Sequence, residues 1–569
     1  MYYTLGIGGF SHDSSAALLE DGKLAAAVQE ERLSRIKHEG GFPYKSINYC
    51  LDSAGIKLDD VSAVAFYAKK SNWDKVLFTL AKDSVLNPIY SISHIRNVAV
   101  GFGRRLYMSA QFRAEYERFL VKTKLDRSKF HFYDHHSCHA ASAFLCSKYD
   151  NAIILCIDSV GDGKTTSGWI GRGNSIIPVD LKIRYPHSIA KIYAKITEFL
   201  GFHSLGDEYK VMGLAAYGKP SRIEELRKLV RFLPNGEIKL DMNYFTYHDG
   251  YGFSSKFYDV FGLPRGNNTP VDGNYADIAA SIQALFEEVV MHHALYLKKS
   301  TGIRNLCLCG GTALNSKCNG KLVLTGEFDN IFIPPAASDL GTSIGAALLH
   351  WNQKLNKPRS FVLETDALGP RYDDPFIKSE LEKYNLKYVE TEDPSIAAAK
   401  LISKGRIIGW FQGRMEFGPR ALGYRSILAD TRKAEIKNKI NSTIKFREEF
   451  RPFAPSILRE CVKDYFEKDI NCPFMTFTLM IKPDRQSEIQ GVCHVDGSGR
   501  LQSVAENENP AYYRLIKEFH KITGVPVVLN TSFNLAGEPI VCSPYDAIRT
   551  FFTSGMNDLI IGKYILSKD

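Results

Sequence analysis

The 11 cysteines of this chain include no Cys-x-x-Cys pair; only Cys307 and Cys309 lie close together, inside an apolar run. That scatter excludes a zinc ribbon and a disulfide framework and points to a reducing interior. No apolar stretch reaches the about 18 residues of a membrane span. The opening Met1-Tyr2-Tyr3-Thr4-Leu5-Gly6 enters strand-like sequence without a basic leader, so a cytoplasmic protein with no membrane partner is expected. Repeats of about 20 to 50 residues are missing, which excludes a solenoid, and so are low-complexity segments. Charge of one sign is also missing: 72 Lys and Arg stand against 63 acids, and +9 over 569 residues is too mild to argue for nucleic acid.

What is present is globular composition, with 44% apolar, 24% charged and 12% aromatic residues. At about 150 residues per unit the length calls for two to four compact parts. The first 35 residues read as a strand at Tyr3–Gly8, a polar turn at Ser11-His12-Asp13-Ser14, a strand at Ala16–Leu19, an Asp21-Gly22 turn and a strand at Lys23–Val28. The pattern recurs as the apolar run Asn151–Ile157, the turn Asp158-Ser159-Val160-Gly161-Asp162-Gly163 and a β-branched segment through Ile170. In a third place Asn305–Cys309 feeds Gly310-Gly311 and then a helix, so two hairpin turns and a glycine turn would form a phosphate clamp. Ile278–Lys299 has helical spacing, and Lys, Pro, Arg and Gly collect near Asn352–Asp374, where a domain boundary is expected. Beyond it come a helix at Pro394–Lys404, a strand at Ile407–Phe411 and a further region from Ala505 that alternates helix (Ala511–Thr523) and strand (Val525–Leu529).

Three constellations carry chemistry. His135 and His139 precede a small-residue stretch one helical turn apart, a spacing that suits two imidazoles on one metal. Imidazole and thiol alone would favour zinc, whereas convergence with Asp158 and Asp339, both read at strand-end turns, would equally suit iron or manganese. His12 and Asp13 could form an acid/base pair over a substrate hydroxyl, or Asp13 and Ser11 could simply cap the turn. Glu30-Glu31-Arg32 with Arg35 and Lys37 reads as a solvated charged face. The densest signal is Gln412–Ser426, where glycines alternate with Arg414, Arg420 and Arg425 to make an anion cradle. Lys445, Arg447, Arg451 and Arg500 add cations, and the polar turn Asn530-Thr531-Ser532-Phe533-Asn534 could close over phosphate. Their interleaving with Phe, Ala, Leu and Pro favours a pocket for a small polyanion over a nucleic-acid track.

Taken together, Ser11–Ala17, Glu31-Arg32 with Lys37-His38, the His135/His139 pair, Glu208–Ala215, Gly310–Asn315, Gly418–Gly423 and Asn530–Asn534 resemble the NodU/CmcH-type carbamoyltransferases, which decorate antibiotics, toxins and nodulation factors. The resemblance implies an α/β chain with two parts. Residues 1–360 would form an actin/Hsp70-like, Kae-like ATPase fold with duplicated subdomains, and residues 361–569 a YrdC-like twisted-sheet domain that forms carbamoyl-adenylate. It further implies ATP, with magnesium, and carbamoyl phosphate as co-substrates. Arg420, Lys445, Arg451, Arg500, Asn530 and Ser532 would hold the phosphates and the carbamoyl group, and Lys37, Gly310, Gly311 and Asn315 would lie at the nucleotide. His135, His139, Asp158 and Asp339 would bind a ferrous ion, and His12, beside Asp13, would be the general base on a hydroxylated small-molecule acceptor. Ile7-Gly8-Gly9-Phe10-Ser11 carries no acid, so a neutral sugar or other hydroxylated metabolite is expected rather than an aminoglycoside. A homodimer is the expected assembly. Two rivals share these folds: an actin-fold small-molecule kinase, which would give ADP and leave the arginines idle, and a threonylcarbamoyl-type tRNA-modifying enzyme, which would need an RNA-binding track.

Overall fold

A computed structural model of the chain describes residues 1–9, 12–67, 114–246, 252–266, 269–271 and 273–568; Ser11 lies outside them. The protein is mixed α/β, built on two five-stranded sheets, a small hairpin and one nine-stranded sheet. The first sheet contains β1 (Tyr3–Gly8), β2 (Ser15–Glu20), β3 (Lys23–Gln29), β4 (Ala63–Phe66) and β5 (Phe130–Phe132), in the order β3-β2-β1-β4-β5. The second contains β6 (Asn151–Gly161), β7 (Lys164–Arg172), β8 (Ser175–Arg184), β11 (Asn305–Cys309) and β12 (Asn330–Phe332), in the order β8-β7-β6-β11-β12. Between β8 and β11 the chain forms the hairpin β9 (Val230–Phe232) and β10 (Ile238–Leu240).

The two five-stranded sheets repeat one topology. In each, three antiparallel strands precede two that run parallel. The hairpins β2–β3 and β6–β7 turn on Asp-Gly, and both residues of each pair take positive φ: Asp21 45°, Gly22 81°, Asp162 48° and Gly163 76°. Such turns match the right-handed twist of the flanking strands. The strands are apolar runs because both faces are covered; Leu5, Ile7, Ile153, Ile154 and Leu155 are all fully buried.

The third large sheet contains β13 (Val389–Glu390), β14 (Ile408–Phe411), β15 (Arg425–Asp430), β16 (Ala454–Leu458), β17 (Phe477–Met480), β18 (Ser498–Val504), β19 (Val527–Ser532), β20 (Asp558–Ile561) and β21 (Tyr564–Ser567). Its order is β13-β21-β20-β14-β15-β19-β16-β18-β17. The stretch from Ala505 onward is therefore part of this one sheet. β19 continues through Ser532, so Asn530 is a strand residue and not part of a turn. The expected helix at Ile278–Lys299 is longer at both ends, Gly273–Thr301. Among the described residues no helix is long and apolar enough to cross a membrane.

Candidate active site

The helix His135–Phe144 begins where the Asp134 carboxylate accepts from the Ser137 backbone N–H at 3.0 Å. This cap fixes the first turn and places His135 and His139 on one inward face. Their Nε2 atoms are 3.0 Å apart. Asp158 Oδ2 lies 3.2 Å from His135 Nε2, and Asp339 Oδ1 lies 3.3 Å from His139 Nε2. All four donor atoms fall within 4.8 Å of one another. Asp158 is on strand β6 where its register with β7 breaks, four residues before the Asp162-Gly163 turn, and not in the turn itself. Asp339 opens a short 3-10 turn beyond β12. Gly161 makes room for the centre, since a Cβ there would lie 2.1 Å from the His135 ring.

Two imidazole nitrogens in contact and flanked by carboxylates form a donor set for a divalent cation, one that suits iron or manganese as well as zinc. Burial opposes a charge on His135, but Asp339 and Asp158 overcome it and hold the imidazole up at about 9. Asp158, despite burial, is held below the usual carboxylate range by its bond to His135 and by the charge of His139.

Next to this set, His12 Nδ1 lies 3.1 Å from Asp13 Oδ2, and His38 Nδ1 lies 2.8 Å from Asp13 Oδ1. Asp13 adopts φ 57° to do this, a strained backbone of the kind held at functional sites. Its bond raises His12 to about 9, against burial and with help from Asp339 and Asp158. Gly311 meets the centre directly, its N–H 3.4 Å from Asp158 Oδ1. Gly310 bonds the Ala337 carbonyl at 2.9 Å. Asn315 caps the following helix through the Cys318 N–H and exchanges bonds with Gln283.

Glu31 and Arg32 do not form a solvated face. They are 8% and 3% exposed, and Arg32 bonds both Glu31 and the Gly418 carbonyl, the latter at 2.9 Å. Arg35 bonds the carbonyls of Ile540 and Pro539 at 2.6 and 2.9 Å. These charges are buried because they clasp the first sheet's helix to the segments around the nine-stranded sheet, a through-space relation that local sequence does not carry.

The cradle at Gln412–Ser426 holds one ligand-facing arginine rather than three. Arg425 is fully buried and donates to the carbonyls of Gln412, Tyr424, Pro370 and Gly413; Arg414 bonds Ala25, Leu368 and Gly369. Both guanidiniums hold the loop. Arg420 is different: among the described residues no side chain or carbonyl bonds it, and its neighbours are Arg451, Arg500 and Tyr209. Lys445, 4% exposed, also lacks a carboxylate; it reaches Asn534 Oδ1 at 2.8 Å and Ser532 Oγ at 3.3 Å and feels Arg447, Arg451 and Lys37. Burial, then the charge of Arg451, brings Arg447 down to about 9 and Arg420 to about 10, and burial with three arginines lowers Arg500. Of these cations only Arg451 touches an acid, Glu448, at 3.4 Å. Six cations drawn together with one carboxylate are an arrangement suited to a polyanion.

Asn530 supports this site from behind. It is 1% exposed, and its amide bonds the Ala421 carbonyl at 3.1 Å and Gln502 at 2.9 Å. Sequence reasoning missed His494, which shares with Arg500 a cleft lined by Met212, Tyr217 and Phe450; a lone histidine far from the other motifs gave no signal. The segment Pro335–Asp339 joins the two centres, since Asp339 belongs to the histidine set and a Cβ on Gly418 would lie 3.1 Å from the Pro335 carbonyl.

The described geometry coincides with two family models, the carbamoyltransferase N-terminus over residues 3–348 and the carbamoyltransferase C-terminus over residues 399–568. An uncharacterised protein of Synechocystis is 41% identical over 100% of this chain and 97% of its own length. Nodulation protein NolNO of Sinorhizobium fredii is 38% identical over 98% of this chain and 79% of its own. Nodulation protein NolO of Bradyrhizobium diazoefficiens is 38% identical over 76% and 79%. Among solved structures, component A of Acidaminococcus fermentans (R)-2-hydroxyglutaryl-CoA dehydratase matches at TM-score 0.34 and 16% identity, covering 62% of this chain and 100% of that one. With both halves matched in order and full-length relatives at this identity, the chain belongs to the carbamoyltransferase family and is an enzyme of carbamoyl transfer.

Proposed function

We propose that the protein is an ATP-dependent O-carbamoyltransferase that takes carbamoyl phosphate, forms carbamoyl-adenylate and transfers the carbamoyl group to a hydroxyl of a small-molecule natural product or sugar. The observation that carries this reading is the uncompensated cluster Lys37, Arg420, Lys445, Arg447, Arg451 and Arg500. Six cations gathered with one carboxylate call for the charge of phosphates, and a kinase reading leaves them without a task. The repeated sheet topology supports an actin-like fold for residues 1–360, and the nine-stranded sheet is assigned as the YrdC-like domain of residues 361–569.

The arginines and Lys445 hold carbamoyl phosphate and the phosphates of magnesium-ATP. Water takes the phosphoryl group of carbamoyl phosphate, breaking its P–O bond to give inorganic phosphate and carbamate; a carbamate oxygen then attacks the α-phosphorus of ATP, and pyrophosphate departs, its charge met by preorganised cations. Asn530 and Ser532 act behind them, through the Ala421 carbonyl and Lys445. The mixed anhydride stays inside the protein, away from water, and passes along Pro335–Asp339 to the histidine centre, with Gly310, Gly311 and Asn315 at its nucleotide. A ferrous ion held by His135, His139, Asp158 and Asp339 would supply Lewis acidity toward the carbamoyl oxygen. Asp13 fixes Nδ1 of His12, which leaves Nε2 to take the proton of the acceptor hydroxyl as its oxygen attacks the carbamoyl carbon and AMP leaves. Because Asp13 holds the His12 proton up to about 9, this step gains base as pH rises.

The test is release of pyrophosphate and AMP from ATP with and without carbamoyl phosphate. Pyrophosphate that requires carbamoyl phosphate supports the adenylate reaction. ADP, or indifference to carbamoyl phosphate, would sink it in favour of a kinase.

A further inference from the structure

His494 and Arg500 line the same cleft, and in both a buried nitrogen has no partner: Nε2 of the histidine and Nε of the arginine. The hydrogen positions around His494 follow from its neighbours. Lys317 Nζ lies 3.0 Å from Asp496 Oδ2, so this carboxylate is ionised and only accepts. The Ser498 hydroxyl is 2.6 Å from Asp496 Oδ1 and must donate its one hydrogen there. His494 Nδ1 is 3.1 Å from the same hydroxyl oxygen, which can now only accept, so Nδ1 carries the proton. Burial keeps this imidazole neutral, down at about 4. Nε2 is therefore a buried, unpartnered lone pair beside a cleft whose polar lining holds Lys437 and Arg500, with Asp496 there paired to Lys317. The turn is fixed further by the His494 N–H on the Ser498 carbonyl at 2.8 Å.

A lone pair beside an arginine calls for a ligand that presents an N–H donor a few bonds from an anionic oxygen. Carbamoyl phosphate is such a molecule, with its amino group two bonds from the ester oxygen of its phosphate. In ATP the amino group lies at the opposite end from the phosphates. We propose that Nε2 of His494 accepts a hydrogen from the amino group of the carbamoyl donor held on the arginine cluster, and that this bond selects carbamoyl over acyl phosphates. The inference rests on the donor assigned above. It makes His494 a specificity-determining residue, with Ser498 and Asp496 setting its tautomer.

The experiment is calorimetric titration of the full-length protein with carbamoyl phosphate, acetyl phosphate and inorganic phosphate. Acetyl phosphate carries a methyl group where carbamoyl phosphate carries the amino group, and a buried acceptor left unpaired costs about tenfold in affinity or more. The wild type is expected to prefer carbamoyl phosphate by that factor. In His494→Phe the preference falls to within about twofold while inorganic phosphate binds unchanged, because the arginines remain. His494→Gln, which keeps an acceptor oxygen, retains part of it. If His494→Phe does not fold, Ser498→Ala tests the same point, since without the hydroxyl the other tautomer forms and the preference drops. An undiminished preference in these variants overturns the inference, as does a loss confined to ATP binding, which would assign the histidine to the adenine. Pyrophosphate release that requires carbamoyl phosphate in a wild type without the preference overturns this inference alone; absence of that release overturns the donor assignment as well.

Discussion

The two centres of this protein solve the burial of charge in opposite ways. The histidine centre sets two imidazoles against two carboxylates. The arginine centre gathers like charges whose protein partners are mostly carbonyls and amides. Burial, with the charge of Arg451 added to it, brings Arg420 and Arg447 down to about 10 and 9. Opposite charges stabilise one another when buried, whereas gathered like charges store repulsion that a polyanion relieves. In the proposed reaction the first would carry the transfer and the second would capture phosphate.

Breaking the arginine centre should have the largest effect. Arg420→Ala or Arg451→Ala is expected to lower carbamoyl-phosphate-dependent pyrophosphate release by about 100-fold or more, as for loss of one transition-state donor. Undiminished release from Arg420→Ala would mean that the cluster does not serve the adenylate step. The histidine centre should fail differently. His139→Ala is expected to lose bound metal by more than the about 10- to 100-fold that removing an outer-shell partner costs. Acceptor carbamoylation should fall with it, whereas pyrophosphate release continues; elemental analysis and the two assays read the split. The clasp between the centres gives a stability effect. Arg32→Met leaves Glu31 buried without its cation and should cost about 3–5 kcal/mol in a denaturant titration. The smallest and sharpest effect is on pH. The Asp13 bond raises the folded pKa of His12, so its base form appears only as pH climbs toward about 9. In Asp13→Asn the lower limb of the transfer profile should move down toward the ordinary imidazole value of about 6.5. A limb that stays in place would remove His12 from the role of base.

Much of this was legible in the chain. Period-two and apolar runs with Asp-Gly turns marked β1 to β3, β6 and β7, because such turns are local chemistry. The four-residue spacing of His135 and His139 placed both on one helical face, since that face depends only on the helix period. Asp158 and Asp339 came from family likeness, and no spacing could have joined residues 181 positions apart. Arg414 and Arg425 looked like ligands because composition shows charge and not the carbonyls that engage it. Glu31 and Arg32 looked like surface for the converse reason: their burial is created by Gly418, nearly 400 residues away. His494 was invisible because its tautomer depends on Ser498, Asp496 and Lys317 together.

The stretch Pro335–Asp339 lies against Gly418 at one end and supplies a donor carboxylate at the other. Whatever an anion does to the loop behind Arg420, it does next to a carboxylate of the proposed metal site, and the reverse holds as well. Thermodynamic linkage then makes the exchange symmetrical: the factor by which a bound phosphate changes metal affinity equals the factor by which the metal changes phosphate affinity.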